Sequence, residues 1–138
     1  MSINKYTHMR REKVDILELI QILKAISDET RVRILNLLTN GELCVGEIEY
    51  LLNINQSNAS RHLSALKNAS LITYEKNAQW IYYSIHKETL EKHSFIRELL
   101  ENELSQLDLF TKDKERLQEY KLSSKTCLDL KECNESNK

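Results

Sequence analysis

The sequence predicts a mainly α-helical domain that carries one small β-hairpin, and three observations lead to this fold class. The 138 residues include no proline and only two glycines, Gly41 and Gly46, which favours long helices over tight turns. Apolar residues recur at helical spacing in four successive stretches before residue 70. Between residues 71 and 85 the pattern changes to β-branched and aromatic residues, which indicates two short strands.

The first two predicted helices supply much of the core. The first, at residues 14–26, is apolar over more than one narrow stripe. Such a helix needs cover on two sides, one from its own core and the other from a partner subunit. The second helix can be capped by Asp28, and it ends at Asn40 and Gly41, a pair that suits a left-handed stop. Its inward-facing positions are Val32, Leu35 and Leu38.

The third and fourth helices are separated by a polar break at residues 53–55. Asn55 can cap the fourth helix. On a helical wheel of about 100° per residue, Ala59, Leu63 and Leu66 fall on one side, which must be buried. The opposite side carries mostly short polar side chains, at Ser57, Arg61, Ser64 and Asn68.

The strands and the last helices complete the predicted domain. Strands are expected at residues 71–76 and 80–85, joined through Asn77 and Ala78. A long helix is expected from about residue 87 to 109, then a short charged helix at 111–120 and a mobile polar tail. Because the core can cover only part of the long helix, we assign the remainder to pairing with a second copy of the chain. The expected dimerisation residues are Leu17, Ile20, Phe95, Leu99, Leu100 and Leu104.

Length and composition indicate one domain in a cytoplasmic protein. We expect an N-terminal extension at residues 1–13, the folded domain at 14–110, and a C-terminal part at 111–138 with a short helix and a flexible, cysteine-containing tail. No apolar run approaches the length that crosses a bilayer, and the N-terminus lacks a secretory apolar segment. The net charge is only −1, but residues 55–87 carry four basic side chains against one acidic, which forms a local basic patch.

The third and fourth helices together predict a helix-turn-helix, which lays its second helix in the major groove of duplex DNA. Short side chains allow the helix backbone to approach the bases, where Arg prefers guanine edges and Asn or Gln prefers adenine edges. The residues expected to face the bases are Gln56, Ser57, Asn58, Arg61 and Ser64. Phosphate contacts are expected from Ser60, Lys67 and Arg31, and contacts from the hairpin tip, or wing, are expected from Lys76, Asn77 and Gln79.

The same residues also allow plainer interpretations than DNA recognition. The outer face of the fourth helix could be an ordinary solvated surface, but such surfaces usually carry Glu and Lys rather than Ser and Asn. His62 is expected to be a hydrogen-bonded residue at the boundary of the core, and Trp80 to pack within the hairpin. An enzyme is not expected, because no nucleophile, base and orienting partner form a recognisable motif.

Four segments of the chain resemble the ArsR/SmtB family of winged-helix repressors that sense metals or metalloids. The segments are residues 28–38 (DETRVRILNLL), 41–48 (GELCVGEI), 56–63 (QSNASRHL) and 78–84 (AQWIYYS), and the resemblance extends over about residues 14–110. It implies a homodimer built on the first and last long helices, an operator of inverted-repeat type, and release of DNA on ligand binding. The chain departs from the family at Ser70, where glycine is common between the recognition helix and the wing.

The three cysteines, Cys44, Cys127 and Cys133, suggest what is sensed. Arsenic-binding relatives carry Cys-Val-Cys and a further cysteine three residues on, whereas here only Cys44 remains, with Gly46 and Glu49 at the other two places. Trivalent arsenic, antimony and soft metal ions favour thiolates, so the three cysteines are the candidate ligands. Two alternatives stay open: Cys44 is a small core residue and the tail cysteines are incidental, or Cys44 and Cys127 form a redox pair.

The family's other common site, a zinc site on the last long helix, is not expected. Lys87 and Thr89 stand where its leading acid and histidine would be, and His86 and His93 are expected at the surface. The sequence therefore favours a DNA-binding repressor released by arsenite or antimonite, with no cofactor needed for DNA binding. The alternatives are a thiol redox or reactive-sulfur sensor on the same scaffold and, from another class, a winged helix that only binds proteins.

Overall fold

The computed structural model describes residues 15–130. The helices are α1 (Ile16–Ala25), α2 (Glu29–Leu38), α3 (Val45–Leu52), α4 (Gln56–Asn68), α5 (Lys87–Lys92), α6 (Ser94–Glu98) and α7 (Asp108–Leu122). The strands are β1 (Leu43–Cys44), β2 (Ile72–Asn77) and β3 (Trp80–Ile85). Helices α3 and α4, followed by the β2–β3 hairpin, form a winged helix-turn-helix, which confirms the predicted fold class.

Three helices begin at side chains that accept a hydrogen bond from the first turn. The Asp15 carboxylate accepts from the backbone N–H of Leu17, and Asp28 accepts from Arg31 at 3.0 Å. The Asn55 side-chain oxygen accepts from the N–H of Asn58 at 2.8 Å. Each such cap contributes about 1 kcal/mol, and the predicted caps at Asp28 and Asn55 are confirmed.

The sheet has three strands, one more than the sequence predicts. The strand order is β1-β3-β2, and the two residues of β1 pair with β3 as Leu43↔Tyr83 and Cys44↔Tyr82. A strand this short lacks the alternating pattern by which strands are recognised. Its pairing fixes Cys44 against the wing at the point where α3 begins.

The hairpin turns one residue later than expected. Asn77 is the last paired residue of β2, opposite Trp80, so the loop consists of residues 78 and 79. Ala78 takes the left-handed conformation with φ 57°, which L side chains rarely adopt. Ser70 takes φ 60° between α4 and β2. This backbone conformation is the one that glycine adopts most easily, which explains why glycine suits this junction.

The predicted long helix at residues 87–109 is wrong, because the chain breaks twice within it. It leaves helical geometry at His93 (φ −123°, ψ 81°) between α5 and α6. A π-helical turn (Leu99–Glu103) and a 3-10 turn (Leu104–Gln106) continue α6, and Leu107 is extended with φ −111° and ψ 126°. The second break reverses the chain, so that α7 returns to pack on α2 and α3.

The C-terminal helix is longer than the one expected at residues 111–120, and it belongs to the core. Phe110, Leu117 and Tyr120 of α7 are buried. The Arg33 guanidinium on α2 donates two hydrogen bonds to the Asp113 carboxylate, at 2.8 and 2.9 Å. Beyond α7, where a mobile tail was expected, residues 127–130 are helical.

Two of the six expected dimerisation residues are corrected by the structure. Leu100 and Leu104 are each 3% exposed and lie in the core of their own chain, so their side chains cannot reach a partner. Leu99 is half-buried against the same core. Leu17, Ile20 and Phe95 remain exposed at 69%, 40% and 40%. Within residues 15–130, none of the helices is both long and apolar enough to span a membrane.

Candidate functional site

The helix-turn-helix is positioned by a short, well-defined connection. Helix α3 ends at Asn53, which takes the left-handed conformation with φ 55°, and Asn55 caps α4 two residues later. The inner side of α4 is anchored in the core by Ala59, Leu63 and Leu66, each at most 1% exposed. The opposite side of α4 is thereby held outward on a rigid support.

The residues predicted to face DNA bases all lie on the exposed side of α4. They are Gln56, Ser57, Asn58, Arg61 and Ser64. The Arg61 guanidinium donates to the Asn58 side-chain oxygen at 3.3 Å. Exposed donors and acceptors on short side chains match the requirements of a helix that enters the major groove.

The residues predicted to contact phosphates flank this surface, with one difference. Ser60 and Lys67 are exposed on α4, and the Lys67 ammonium lies 4.7 Å from the centre of the Tyr74 ring. Arg31 is half-buried, and its guanidinium donates to the backbone oxygens of Ala25 at 2.7 Å and Lys24 at 3.2 Å. Arg31 therefore caps the end of α1 and has fewer donors left for a phosphate.

The wing presents its predicted residues at the tip of the hairpin. Lys76 and Asn77 end β2, Gln79 lies in the two-residue loop, and all three side chains are exposed. Their exposure at the tip of the hairpin leaves them accessible to a neighbouring DNA backbone or minor groove.

His62 on α4 is buried more deeply than a boundary residue. It is 5% exposed, and its Nδ1 has no hydrogen-bond partner among the described residues. Nδ1 lies 3.7 Å from an Asp28 carboxylate oxygen, and Nε2 lies 3.4 Å from the Arg61 guanidinium. Burial lowers the pKa of His62 below the usual value of 6.5, while Asp28 opposes the shift.

This lowered pKa gives the stability of the fold a pH dependence. The unfolded chain protonates His62 at a higher pH than the folded chain, so it holds more protons between the two pKa values. We expect the free energy of unfolding to fall as the pH drops through 6.5 toward the folded pKa. Urea unfolding of wild type and His62→Gln across this range measures the difference. An equally steep decline in the variant would show that other groups cause it.

One of the two histidines of the last helical region, His93, lies elsewhere than predicted. The His86 Nδ1 pairs with the Thr89 hydroxyl at 2.7 Å, and that hydroxyl donates to the Ser70 carbonyl. His93, expected at the surface, is 4% exposed, with its Nε2 3.4 Å from a Glu18 carboxylate oxygen. Lys87 remains exposed at the start of α5.

Two of the three cysteines form a buried disulfide. Cys44, at the junction of β1 and α3, is bonded to Cys127, which lies five residues beyond α7. The two residues are 2% and 4% exposed. Cys133, the third predicted ligand, lies outside the described residues. The disulfide therefore connects the start of the helix-turn-helix to the C-terminal part of the chain.

Glu47 and Tyr120 complete the neighbourhood of this disulfide, and neither was singled out from the sequence. The Glu47 carboxylate accepts from the backbone N–H of Cys44 at 2.9 Å and from the Tyr120 hydroxyl at 2.5 Å. Burial, together with the Glu47 carboxylate, raises the pKa of Tyr120. The spacing of Glu47, three residues after the cap position of α3, was the available signal for its hydrogen bond to Cys44.

Comparison with known proteins agrees with this geometry. The family model described as "Bacterial regulatory protein, arsR family" matches residues 28–74, which include α2, α3 and α4. The transcriptional repressor SdpR of Bacillus subtilis is 41% identical over 70 residues, which cover 51% of this chain and 78% of that protein. The arsenic resistance transcriptional regulator ArsR1 of Pseudomonas putida is 38% identical over 82 residues, 59% of this chain and 61% of that regulator.

A solved structure shares the fold. It is the homodimeric winged helix-turn-helix DNA-binding domain (fragment 1-100) of Mb0332 from Mycobacterium bovis, described as a possible ArsR-family transcriptional regulator. It is 28% identical in sequence, with a TM-score of 0.55, and the match covers 62% of this chain and 80% of that chain. The winged helix-turn-helix described above is thus shared with a DNA-binding domain.

Proposed function

The chain belongs to the arsR family of bacterial regulatory proteins, and on that premise we propose that it is a homodimeric repressor of transcription that binds duplex operator DNA in the cytoplasm. Helix α4 enters the major groove, and the wing contacts the neighbouring backbone or minor groove. An inducer that binds the cysteine thiols releases the DNA. The observation that carries this proposal is the exposed polar side of α4, opposite a side anchored in the core.

The homodimer is supported by an apolar face that the described chain leaves uncovered. Ile16, Leu17 and Ile20 of α1 are exposed at 64%, 69% and 40%, and the exposed Phe95 lies on α6. The similar Mb0332 domain is described as homodimeric. A two-fold dimer presents two copies of α4, so an inverted-repeat operator with half-sites about one helical turn apart is expected.

Charged residues on this face are expected to separate the subunits. In a Leu17→Glu/Ile20→Glu variant, burial of the new carboxylates in an interface is strongly unfavourable, so sedimentation velocity should show a monomer where wild type is a dimer. Operator affinity should also drop, because two half-sites must then be bound independently. Leu122→Glu, at a leucine 78% exposed on α7, is the matched control and should remain dimeric. A double variant that still sediments as a dimer would place the interface elsewhere.

Arsenite or antimonite is the proposed inducer, with Cys44, Cys127 and Cys133 as the three thiolate ligands. Two relatives support this choice through their names as arsenic resistance transcriptional regulators. Trivalent arsenic prefers sulfur ligands, which requires that the disulfide between Cys44 and Cys127 first be reduced. Binding at Cys44 acts directly on the first residue before α3, from which the helix-turn-helix is built.

A titration of operator binding tests the inducer. Fully reduced protein on its own promoter is titrated with arsenite, antimonite, cadmium, zinc and a polysulfide in a gel shift assay. Arsenite or antimonite is expected to release DNA at the lowest concentration, and a variant with all three cysteines changed to serine should bind DNA but ignore both. Unchanged release from the serine variant would reject the thiol site while leaving the repressor function intact.

A second candidate, a thiol redox or reactive-sulfur sensor, is supported by the Cys44–Cys127 disulfide itself. Oxidant and arsenite, added separately to the reduced protein–DNA complex, separate the two candidates: only a redox sensor releases DNA with oxidant alone. The protein-interaction alternative predicts weak binding without sequence preference. A steep loss of affinity with added salt, together with strong preference for one operator, argues against it.

A further inference from the structure

We propose that His62 is a positioning residue for DNA recognition: its neutral imidazole orients the neighbouring Arg61 guanidinium toward the bases, and protonation of the imidazole releases that guanidinium. The inference rests on the proposed function, in which Arg61 on α4 contacts a base edge. It adds to the recognition surface a buried residue that does not itself contact DNA, and it makes the preference for the operator depend on pH.

His62 faces the core, while Arg61 beside it on α4 faces outward. The His62 side chain is 5% exposed. Its Nε2 lies 3.4 Å from Nη2 of Arg61, and the Asn58 side-chain oxygen accepts from the same Nη2 at 3.3 Å. A guanidinium has five N–H donors, of which Nη2 carries two. The three donors on Nε and Nη1 therefore remain for the pair of acceptors on a guanine edge.

The contacts of the imidazole ring determine which of its nitrogens carries the proton. Because a guanidinium only donates, Nε2 of His62 must accept the hydrogen bond from Arg61. The neutral ring then carries its proton on Nδ1, which lies 3.7 Å from an Asp28 carboxylate oxygen. That oxygen also accepts from the backbone N–H of Arg31 at 3.0 Å, which fixes it at the start of α2. The negative charge of Asp28 favours a proton on Nδ1, so it stabilises the tautomer that can hold Arg61.

Protonation of His62 reverses this interaction. An imidazolium carries a proton on both nitrogens, so Nε2 can no longer accept a hydrogen bond, and it faces a second cation. In the described chain, the charged groups that act on the ring are Asp28 and Arg31 of α2 and Arg61 of α4. Burial, opposed by Asp28, lowers the pKa of His62 below 6.5. The ring is therefore neutral at neutral pH, and acidification through the folded pKa converts it from an acceptor into a repulsive neighbour of Arg61.

A purely structural role for His62 makes a different prediction. A side chain that only filled the core could be replaced by another of similar volume, and operator preference would not follow its protonation. His62→Gln keeps an acceptor oxygen that does not titrate, whereas His62→Leu keeps the bulk without an acceptor. The two variants therefore separate positioning from packing.

The test measures the affinity of the full chain for its own operator and for a scrambled duplex by fluorescence anisotropy, between about pH 7.5 and pH 5.5. The ratio of the two affinities reports sequence preference, because the phosphate contacts are common to both duplexes. In wild type this ratio is expected to fall about 10-fold across the range, and in His62→Leu to be as low already at the upper pH. His62→Gln should retain the high ratio throughout. The matched control is His86→Gln, at a half-buried histidine just beyond β3, which should follow the wild-type curve.

Either of two results would overturn the inference: the same fall with pH in His62→Gln as in wild type, or wild-type preference in a folded His62→Leu. If circular dichroism shows that His62→Leu does not fold, the comparison of wild type with His62→Gln still decides. Arg61→Ala separates this inference from the proposed function. If Arg61→Ala loses operator preference while His62→Leu keeps it, recognition by α4 stands and the positioning role is wrong. If Arg61→Ala keeps the preference, the base contact itself is wrong and both fail.

Discussion

Replacing Arg61 by alanine is expected to weaken binding to the protein's own operator by about 1–3 kcal/mol per half-site, the usual value of a bidentate contact to a base. A dimer carries the change twice, so the combined loss reaches about 2–6 kcal/mol. Arg61 is exposed on α4, one turn beyond Ser57, and its guanidinium is held only by Asn58 and His62 in the described chain. Fluorescence anisotropy with the operator and with a scrambled duplex measures both affinity and sequence preference.

The Arg61 result is most informative beside Lys67→Ala. A side chain that contacts phosphate positions the protein without sequence information, so Lys67→Ala should weaken both duplexes alike and reduce the salt dependence. Arg61→Ala should instead relax the preference for the operator. Because both side chains are exposed, neither change should alter the unfolding midpoint appreciably. Operator preference unaffected by Arg61→Ala and Ser57→Ala would remove α4 as the recognition helix.

Leu117→Ala is expected to lower the free energy of unfolding by about 2–5 kcal/mol, the cost of a cavity where a leucine was fully buried. Leu117 is 1% exposed on α7, among the core residues of the other helices. The measurement is urea unfolding under reducing conditions, so that the disulfide at Cys127 does not hold α7 in place. A loss this large would show that the C-terminal helix is part of the cooperative fold.

The same helix provides the control for this prediction. Leu122 lies at its end and is 78% exposed, so Leu122→Ala should change the free energy of unfolding by less than about 0.5 kcal/mol. Equal effects of the two substitutions, both small, would mean that α7 does not pack on α2 and α3.

Helix α4 could be predicted because its signals are local. Asn55 caps α4 through the N–H three residues on, and Ala59, Leu63 and Leu66 repeat at the spacing of the helix itself. The exposed side then follows from geometry alone. Even Ser70, where glycine was the expected residue, takes the left-handed conformation that the junction demands.

Predictions that required knowledge of which surfaces meet were less successful. The apolar stripe of the predicted long helix places Leu100 and Leu104 in the dimer interface. Such a stripe indicates that these side chains are buried, but it does not show which surface covers them. The break at Leu107 reverses the chain, and the returning α7 helps to bury this region within one subunit. Nor does the sequence predict that Glu47 accepts a hydrogen bond from Tyr120, which lies 73 residues away along the chain.

Local sequence determined the helix-turn-helix, the wing and the exposed polar side of α4, because caps and hydrophobic periods act over three or four residues. Only the tertiary structure decided that α7 docks on the core and that Cys127 joins Cys44 beside Glu47. These contacts connect residues about 80 positions apart, such as Arg33 with Asp113 and Cys44 with Cys127 at a separation of 83. Such pairs leave no periodic trace in a sequence, since their proximity depends on how every intervening element packs.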